Sequence, residues 1–294
     1  MKTTYYPGCT LKTKARNLED SAIASMAALG VELEELPRWN CCGAVHSLAD
    51  DDLIHHVAPV RDLIRVLETG SRQVVTLCSM CYNTLARANL LMREDEEKRK
   101  TINSFMDEEI DYHGEVEVLH LLGFLRDKIG WDRVREKIKV SLDGLKVAPY
   151  YGCTLLRPRE VSIEPPGSFA LLNEFLRALG AIPVPFSAAS TCCGSYQILG
   201  NPAAALQAST GILEAALRSG AEAMVLSCPL CEFNLGKKQD TLLQEGALSA
   251  RMPTFYFTQL LAISLGLAPE TGRFELNEPS SVEFLKTKGL VASG

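Results

Sequence analysis

A chain of 294 residues exceeds the usual size of one domain, so two domains are expected. With 47% hydrophobic and 22% charged residues it can bury a sizeable core, which excludes a disordered or collagen-like polymer. A formal net charge of −6 argues against broad binding to nucleic acid or anionic membranes, although a small anion needs only a local basic pocket.

Taken in chain order, the first nine residues contain no apolar leader. Residues 3–6 read as a strand and 18–29 as a helix stopped by Gly30. A second short strand is expected at 31–36. Helical periodicity follows at 51–68 with a stop at Gly70, then an apolar β-rich run at 73–77. A helix is expected from Cys81, and a strand–helix pair over 116–129 closes this half. The charged stretch 93–111 reads as a solvated helix with no counterpart of equal length later on. The second half repeats the alternation at 146–151, 169–179, 182–186, 203–218, 223–227 and 254–267. The longest apolar stretches, such as Leu260 to Leu267, fall far short of a membrane span, so a cytoplasmic chain is expected.

Strands alternating with helices imply an α/β protein of two pseudo-symmetric, Rossmann-like domains, each with a mostly parallel sheet. The expected boundaries are 1–142 and 143–294, the second carrying a tail beyond residue 272.

The cysteines define the repeat. Cys9, Cys41-Cys42, Cys78 and Cys81 are matched by Cys153, Cys192-Cys193, Cys228 and Cys231, which uses all ten. The gaps are 31 and 35 residues in the first set and 38 and 34 in the second. Flanks match as well: Tyr5-Tyr6-Pro7-Gly8-Cys9-Thr10 answers Tyr150-Tyr151-Gly152-Cys153-Thr154, and a glycine follows each cysteine pair. Val118-Leu119-His120 is set against Tyr256-Phe257-Thr258. Cys9, Cys78, Cys153 and Cys228 each follow a predicted strand, where such sheets form their ligand crevice. In a reducing compartment these cysteines are metal ligands or redox groups rather than disulfides.

A C-x-x-C pair alone is a weak signal for zinc or an iron–sulfur cluster; two pairs, each preceded by Cys-Cys-Gly at a matching distance, are a strong one. Adjacent cysteines in an extended segment point apart and reach two irons of a cluster more readily than one small ion. A four-iron cubane takes four cysteines. The fifth in each half is free for chemistry, bridges two irons, or marks a cluster that is not a closed cube. Two four-cysteine zinc sites in an interaction module are the competing reading.

On these motifs the chain resembles the cysteine-rich, or CCG-domain, family, and within it the B subunits of soluble heterodisulfide reductases from methanogenic archaea. The resemblance implies two noncubane [4Fe–4S] clusters. Cys9, Cys41, Cys42, Cys78 and Cys81 would hold one, and Cys153, Cys192, Cys193, Cys228 and Cys231 the other. It implies reduction of the coenzyme M–coenzyme B heterodisulfide to two thiols in the energy metabolism of methanogenesis, each cluster supplying one electron at a shared cleft. It also implies partners: a ferredoxin-like subunit with two cubane clusters, a flavin subunit that bifurcates electrons, and a hydrogenase or formate dehydrogenase. No ferredoxin run or dinucleotide fingerprint occurs in this chain, so electrons would arrive from another one.

An anionic disulfide needs cations. Lys12, Lys14 and Arg16 follow Cys9, and Arg157 and Arg159 follow Cys153, at comparable places. His46, four residues after Cys42, is a candidate proton donor, but Gln197 stands at the matching place, so a symmetric role is not expected. A CCG electron-transfer subunit of another oxidoreductase complex, without disulfide chemistry, is the alternative.

Overall fold

In the computed structural model, residues 1–44 and 52–291 are described. The first half runs β1 (Lys2–Tyr6), α1 (Arg16–Ala28), β2 (Glu32–Glu35), α2 (Ile54–Glu68), β3 (Gln73–Thr76), α3 (Ser79–Glu94), α4 (Glu96–Phe105), β4 (Glu117–His120), α5 (Leu121–Phe124) and α6 (Trp131–Lys137). The second runs β5 (Lys146–Pro149), α7 (Ala170–Ala178), β6 (Ile182–Pro183), α8 (Gln197–Gly200), α9 (Pro202–Arg218), β7 (Ala223–Leu226), α10 (Pro229–Glu232), α11 (Gln239–Gln244), β8 (Thr254–Tyr256), α12 (Phe257–Ser264) and α13 (Pro279–Thr287). A π-helical turn extends α5 and another extends α10.

Both sheets are four-stranded and wholly parallel, in the orders β2-β1-β3-β4 and β6-β5-β7-β8. The chain reverses direction across each sheet between its first and third strands. In open α/β sheets that switch point is where a crevice opens at the strands' carboxyl ends. Cys9 follows β1 and Cys78 follows β3; Cys153 follows β5 and Cys228 follows β7. The fold therefore delivers both motifs to both switch points.

Most expected elements form within a residue or two of their predicted ends, and three depart for identifiable reasons. The strand expected at 182–186 is only Ile182–Pro183, because Pro183 and Pro185 have no N–H for the ladder and confine the segment to a short edge. The charged stretch at 93–111 holds a helix, α4, but Asp95 breaks it from α3: its backbone is extended and its side chain accepts the Lys98 amide. In place, His120 rather than Val118 corresponds to Tyr256, since each ends the last strand of its sheet and caps the helix that follows.

The halves share one core. Helix α1 packs on α12 and α5 packs on α7, so each half lays a helix on the other's last strand–helix unit. A row of rings crosses the junction: Tyr82, His120, Phe257, Phe175 and Trp131 follow one another at centroid spacings of 5.9, 5.7, 6.0 and 6.1 Å. Buried polar groups are paired across it as well. Ser21 donates to Thr258 (2.7 Å), and Asn17 donates to Asn277 Oδ1 (3.0 Å). Asn277 also exchanges hydrogen bonds with Gln259 and donates to Thr254 O.

Removing one member strands the others without water, so Asn277→Ala should cost about 1–3 kcal/mol of stability. Urea unfolding followed by circular dichroism measures this; a change within experimental error would mean that the cross-half network carries no stability.

Candidate functional site

Each site is assembled from three loops at the ends of the first, second and third strands of its sheet. In the first half, Gly8 precedes Cys9 at φ +75°, and a Cβ there would stand 2.8 Å from Cys81 Sγ, so only glycine lets the first loop approach the C-x-x-C turn. The glycine of the second Cys-Cys-Gly is equally constrained: a Cβ on Gly194 would fall 2.6 Å from the Ala205 backbone of α9.

Two buried tyrosines set the distance between loops. Tyr6, at the end of β1, donates its hydroxyl to Asn40 O (2.8 Å), and Tyr150, just past β5, donates to Thr191 O (2.7 Å). Asn40 and Thr191 are the residues immediately before the two cysteine pairs. Burial keeps both phenols protonated far beyond their usual range, so they stay donors.

The rest of each loop is held differently in the two halves. Asp62 of α2 accepts the Asn40 amide (2.8 Å) and side chain (3.2 Å), while Arg65 donates to Asn40 Oδ1 (2.8 Å). Burial raises the Asp62 carboxyl to about 8. In the second half Asn234 donates to Cys193 O and Ser195 O, both at 3.0 Å, and Ser209 donates to Cys193 O (3.2 Å). These tyrosine, Asp62 and Asn234 roles lie outside the sequence reading; only the repeated aromatics before Cys9 and Cys153 hinted at them.

The outcome is two mirrored rows of five sulfurs. Cys9 meets Cys41 at 3.5 Å and Cys42 meets Cys81 at 3.7 Å. Cys41 interacts with Cys42, and Cys81 with Cys78. Cys78 and Cys228 of the other half influence one another's ionisation, and both line one cavity. From there the order is mirrored: Cys228 with Cys231, Cys231 with Cys193 at 3.5 Å, Cys193 with Cys192, and Cys192 with Cys153. The centre is buried, Cys9 and Cys41 are exposed, and Cys153 and Cys192 are half-buried. At the centre Ser79 and Ser227 share a hydrogen bond of 2.6 Å, and the Ser79 amide donates to Ser227 O.

Such a line cannot ionise throughout, because adjacent thiolates repel in a buried medium. Cys42 is held below its usual range by Cys41 and Cys81, Cys228 by Cys231 and Cys78, and Cys192 by Cys153 and Cys193, with Arg157 adding its charge. Their neighbours Cys41, Cys78, Cys81, Cys153, Cys193 and Cys231 are pushed up. Among the described residues no three side chains converge as they would around a single ion. A donor set of sulfur alone, extended rather than tetrahedral and in need of positive charge, fits a multi-iron cluster better than zinc.

A cavity of about 730 Å³ opens beside the first five thiols and reaches Cys228. Its walls are mostly apolar, with Tyr256 and four charged residues, Lys14, Lys237, Glu232 and Glu275. Of the cations expected to bind an anion, Lys14 lies at this cavity. Lys12 is engaged by Glu19 (2.7 Å) and Glu35 (2.6 Å), and Arg16 is exposed as the first residue of α1. Arg157 lies near Cys192 at the opposite end, and Arg159 is exposed in the next turn. His46 lies outside the described residues. Lys237, Glu232 and Tyr256 were not foreseen, since their neighbouring spacing carries no motif beyond Cys231.

The sequence profile of the cysteine-rich CCG domain matches the chain twice, at residues 3–86 and 147–236. The chain belongs to this cysteine-rich domain family, whose relatives here are oxidoreductase subunits. One is the 8-methylmenaquinol:fumarate reductase membrane anchor subunit of Wolinella succinogenes, 33% identical over 91% of this chain and 94% of that one. Another is the B subunit of the ferredoxin:CoB-CoM heterodisulfide reductase of Methanosarcina mazei, 27% identical over 97% of this chain and 96% of that one. A hypothetical protein from Helicobacter pylori has the same fold, with a TM-score of 0.74 at 12% identity, over 94% of this chain and 52% of that one. Among the described residues no helix is long and apolar enough to cross a membrane.

His120 links this site to the core. Its Nδ1 accepts the Leu122 amide (3.2 Å), so Nε2 carries the proton and donates to Leu77 O (2.8 Å), just before Cys78. Burial lowers its pKa to about 4. The unfolded chain takes up this proton from about pH 6.5 downward and the folded chain does not until about pH 4. Stability from this group is therefore complete above pH 6.5 and falls by about 3 kcal/mol as the pH drops through that window. Denaturant titrations at pH 7 and pH 5 should show a steeper loss for the native chain than for His120→Gln, and equal slopes would disprove a buried neutral histidine.

Proposed function

We propose that this chain is the iron–sulfur redox subunit of a multi-subunit oxidoreductase, with one cluster on each five-cysteine set. The observation that carries this reading is the meeting of the two five-cysteine sets at their C-x-x-C turns, where Ser79 and Ser227 are hydrogen-bonded and Cys78 and Cys228 line one cavity. Cys9, Cys41, Cys42, Cys78 and Cys81 would hold one cluster; Cys153, Cys192, Cys193, Cys228 and Cys231 would hold the other. Five donors per set favour an open, noncubane [4Fe–4S] cluster over a cubane, which takes four. Clusters of this kind supply electrons one at a time. The protein's own contribution is positional: Tyr6, Tyr150, Asp62 and Asn234 hold the loops, and the two halves bring the sets together. The same reading treats 1–142 and 143–294 as the two cluster-bearing domains.

Two terminal reactions are open to such a subunit. Reduction of the coenzyme M–coenzyme B heterodisulfide is the one the family resemblance implies, with a ferredoxin-like subunit, a flavin subunit and a hydrogenase or formate dehydrogenase as partners. That substrate is strongly anionic. At the cavity, however, Lys14 and Lys237 are accompanied by Glu275 and by Glu232, whose carboxyl burial raises to about 7, and Lys12 is spent on Glu19 and Glu35. This mixed lining favours the second reaction: electron transfer within another oxidoreductase complex, between a neutral apolar redox molecule and a second iron–sulfur subunit. The quinol named for the Wolinella relative belongs to that chemical class.

Anaerobically purified protein should carry roughly eight irons per chain, as two four-iron clusters require. Two zincs and no iron would end the redox reading. With a reduced viologen dye as donor, turnover of the heterodisulfide should be negligible, while a naphthohydroquinone should reduce the clusters. The reverse pattern would restore the disulfide reaction.

A further inference from the structure

Glu232 is the one buried carboxyl at the cavity, with only 6% of its surface exposed, and its Oε1 receives no hydrogen bond among the described residues. A buried carboxyl without a partner is costly, and native proteins keep few such groups without a functional reason. The fold does not demand an acid here. At the matching place in the first half stands Tyr82, whose hydroxyl is satisfied by Val161 O (3.1 Å). The space around the carboxyl is kept clear as well: a Cβ on Gly236 would meet Glu232 Oε1 at 2.8 Å and Thr254 Oγ1 at 2.7 Å, and both oxygens lack partners.

The rest of the cavity describes what would supply the missing donor. Its volume of about 730 Å³, which the cluster on its five thiols would share, lies within the range of small-molecule sites. Met80, Leu230, Phe233 and Leu276 offer an apolar bed, Tyr256 stands beside it, and the two lysines are accompanied by two acidic residues. A polyanion would be opposed by the two carboxylates and by thiolate sulfur. A neutral, flat, apolar molecule bearing a hydroxyl meets each condition.

We infer that this cavity binds a hydroquinone, one ring hydroxyl donating to the Glu232 carboxylate and the ring lying against the apolar wall beside the first thiol set. The assignment rests on the redox reading above and names the substrate class of the same site.

The test uses iron-replete holoprotein under anaerobic conditions, with equilibrium binding measured calorimetrically. The probes are 1,4-naphthohydroquinone and 1,4-dimethoxynaphthalene, which has the same ring but no hydroxyl. The native protein should bind the hydroquinone roughly tenfold or more tightly than the dimethyl ether, as expected for a hydrogen bond to a buried acceptor that otherwise lacks a partner. Glu232→Leu should remove that preference while leaving the affinity for the ether and the iron content unchanged. Glu232→Gln, which keeps an acceptor, should recover most of it. Equal affinity of the iron-replete native protein for both probes, or binding of neither, would overturn the assignment and leave the redox reading standing. A protein without iron would overturn both.

Discussion

The meeting of the two C-x-x-C turns, where Ser79 and Ser227 are hydrogen-bonded and Cys78 and Cys228 face one cavity, is the constraint around which the molecule is arranged. Each of these cysteines caps the helix after the third strand of its sheet, so the turns can meet only if both helix starts lie at the axis relating the halves. The Ser79–Ser227 hydrogen bond and the shared ring row secure that meeting. Once it is fixed, the remaining thiols extend outward in mirrored order, from a buried middle to more accessible ends. The parallel sheets, the glycine approaches and the tyrosine spacers all serve to hold this arrangement.

Duplication explains the symmetry, and divergence of the halves explains why a cavity of about 730 Å³ lies beside the first thiol set. The two cysteine pairs are anchored by unrelated side chains, Asp62 with Arg65 in one half and Asn234 with Ser209 in the other. Where the first half has Tyr82 reaching across to Val161, the second has Glu232, whose Oε1 lacks a hydrogen-bond partner. One set of thiols thus opens onto an apolar chamber. The other ends beside Arg157 in half-buried sulfur.

Much of this was legible in the chain itself. Alternating strand and helix signals, together with cysteines just after strands, place the motifs at the crevice, because a parallel sheet leaves few other positions for them. The meeting of the two C-x-x-C turns was not legible, since a count of residues between cysteines carries no information about how two domains face one another. Lys12 illustrates the same limit from the other side: its neighbourhood to Cys9 made it a candidate ligand, yet Glu19 and Glu35 lie within reach only after α1 and β2 have folded. Glu232 could not be singled out either, for the lack of a partner at its Oε1 is a property of burial and not of spacing.

The reciprocal packing of α1 on α12 and of α5 on α7 is the pattern of a two-fold dimer, in which each copy gives its neighbour what it receives. Here one polypeptide supplies both partners, so the meeting of the sulfurs is a first-order event. Two separate copies would associate in proportion to their concentration, whereas a short tether holds its ends at an effective concentration in the millimolar range. The meeting of the two cysteine sets is accordingly independent of how much of this protein a cell makes.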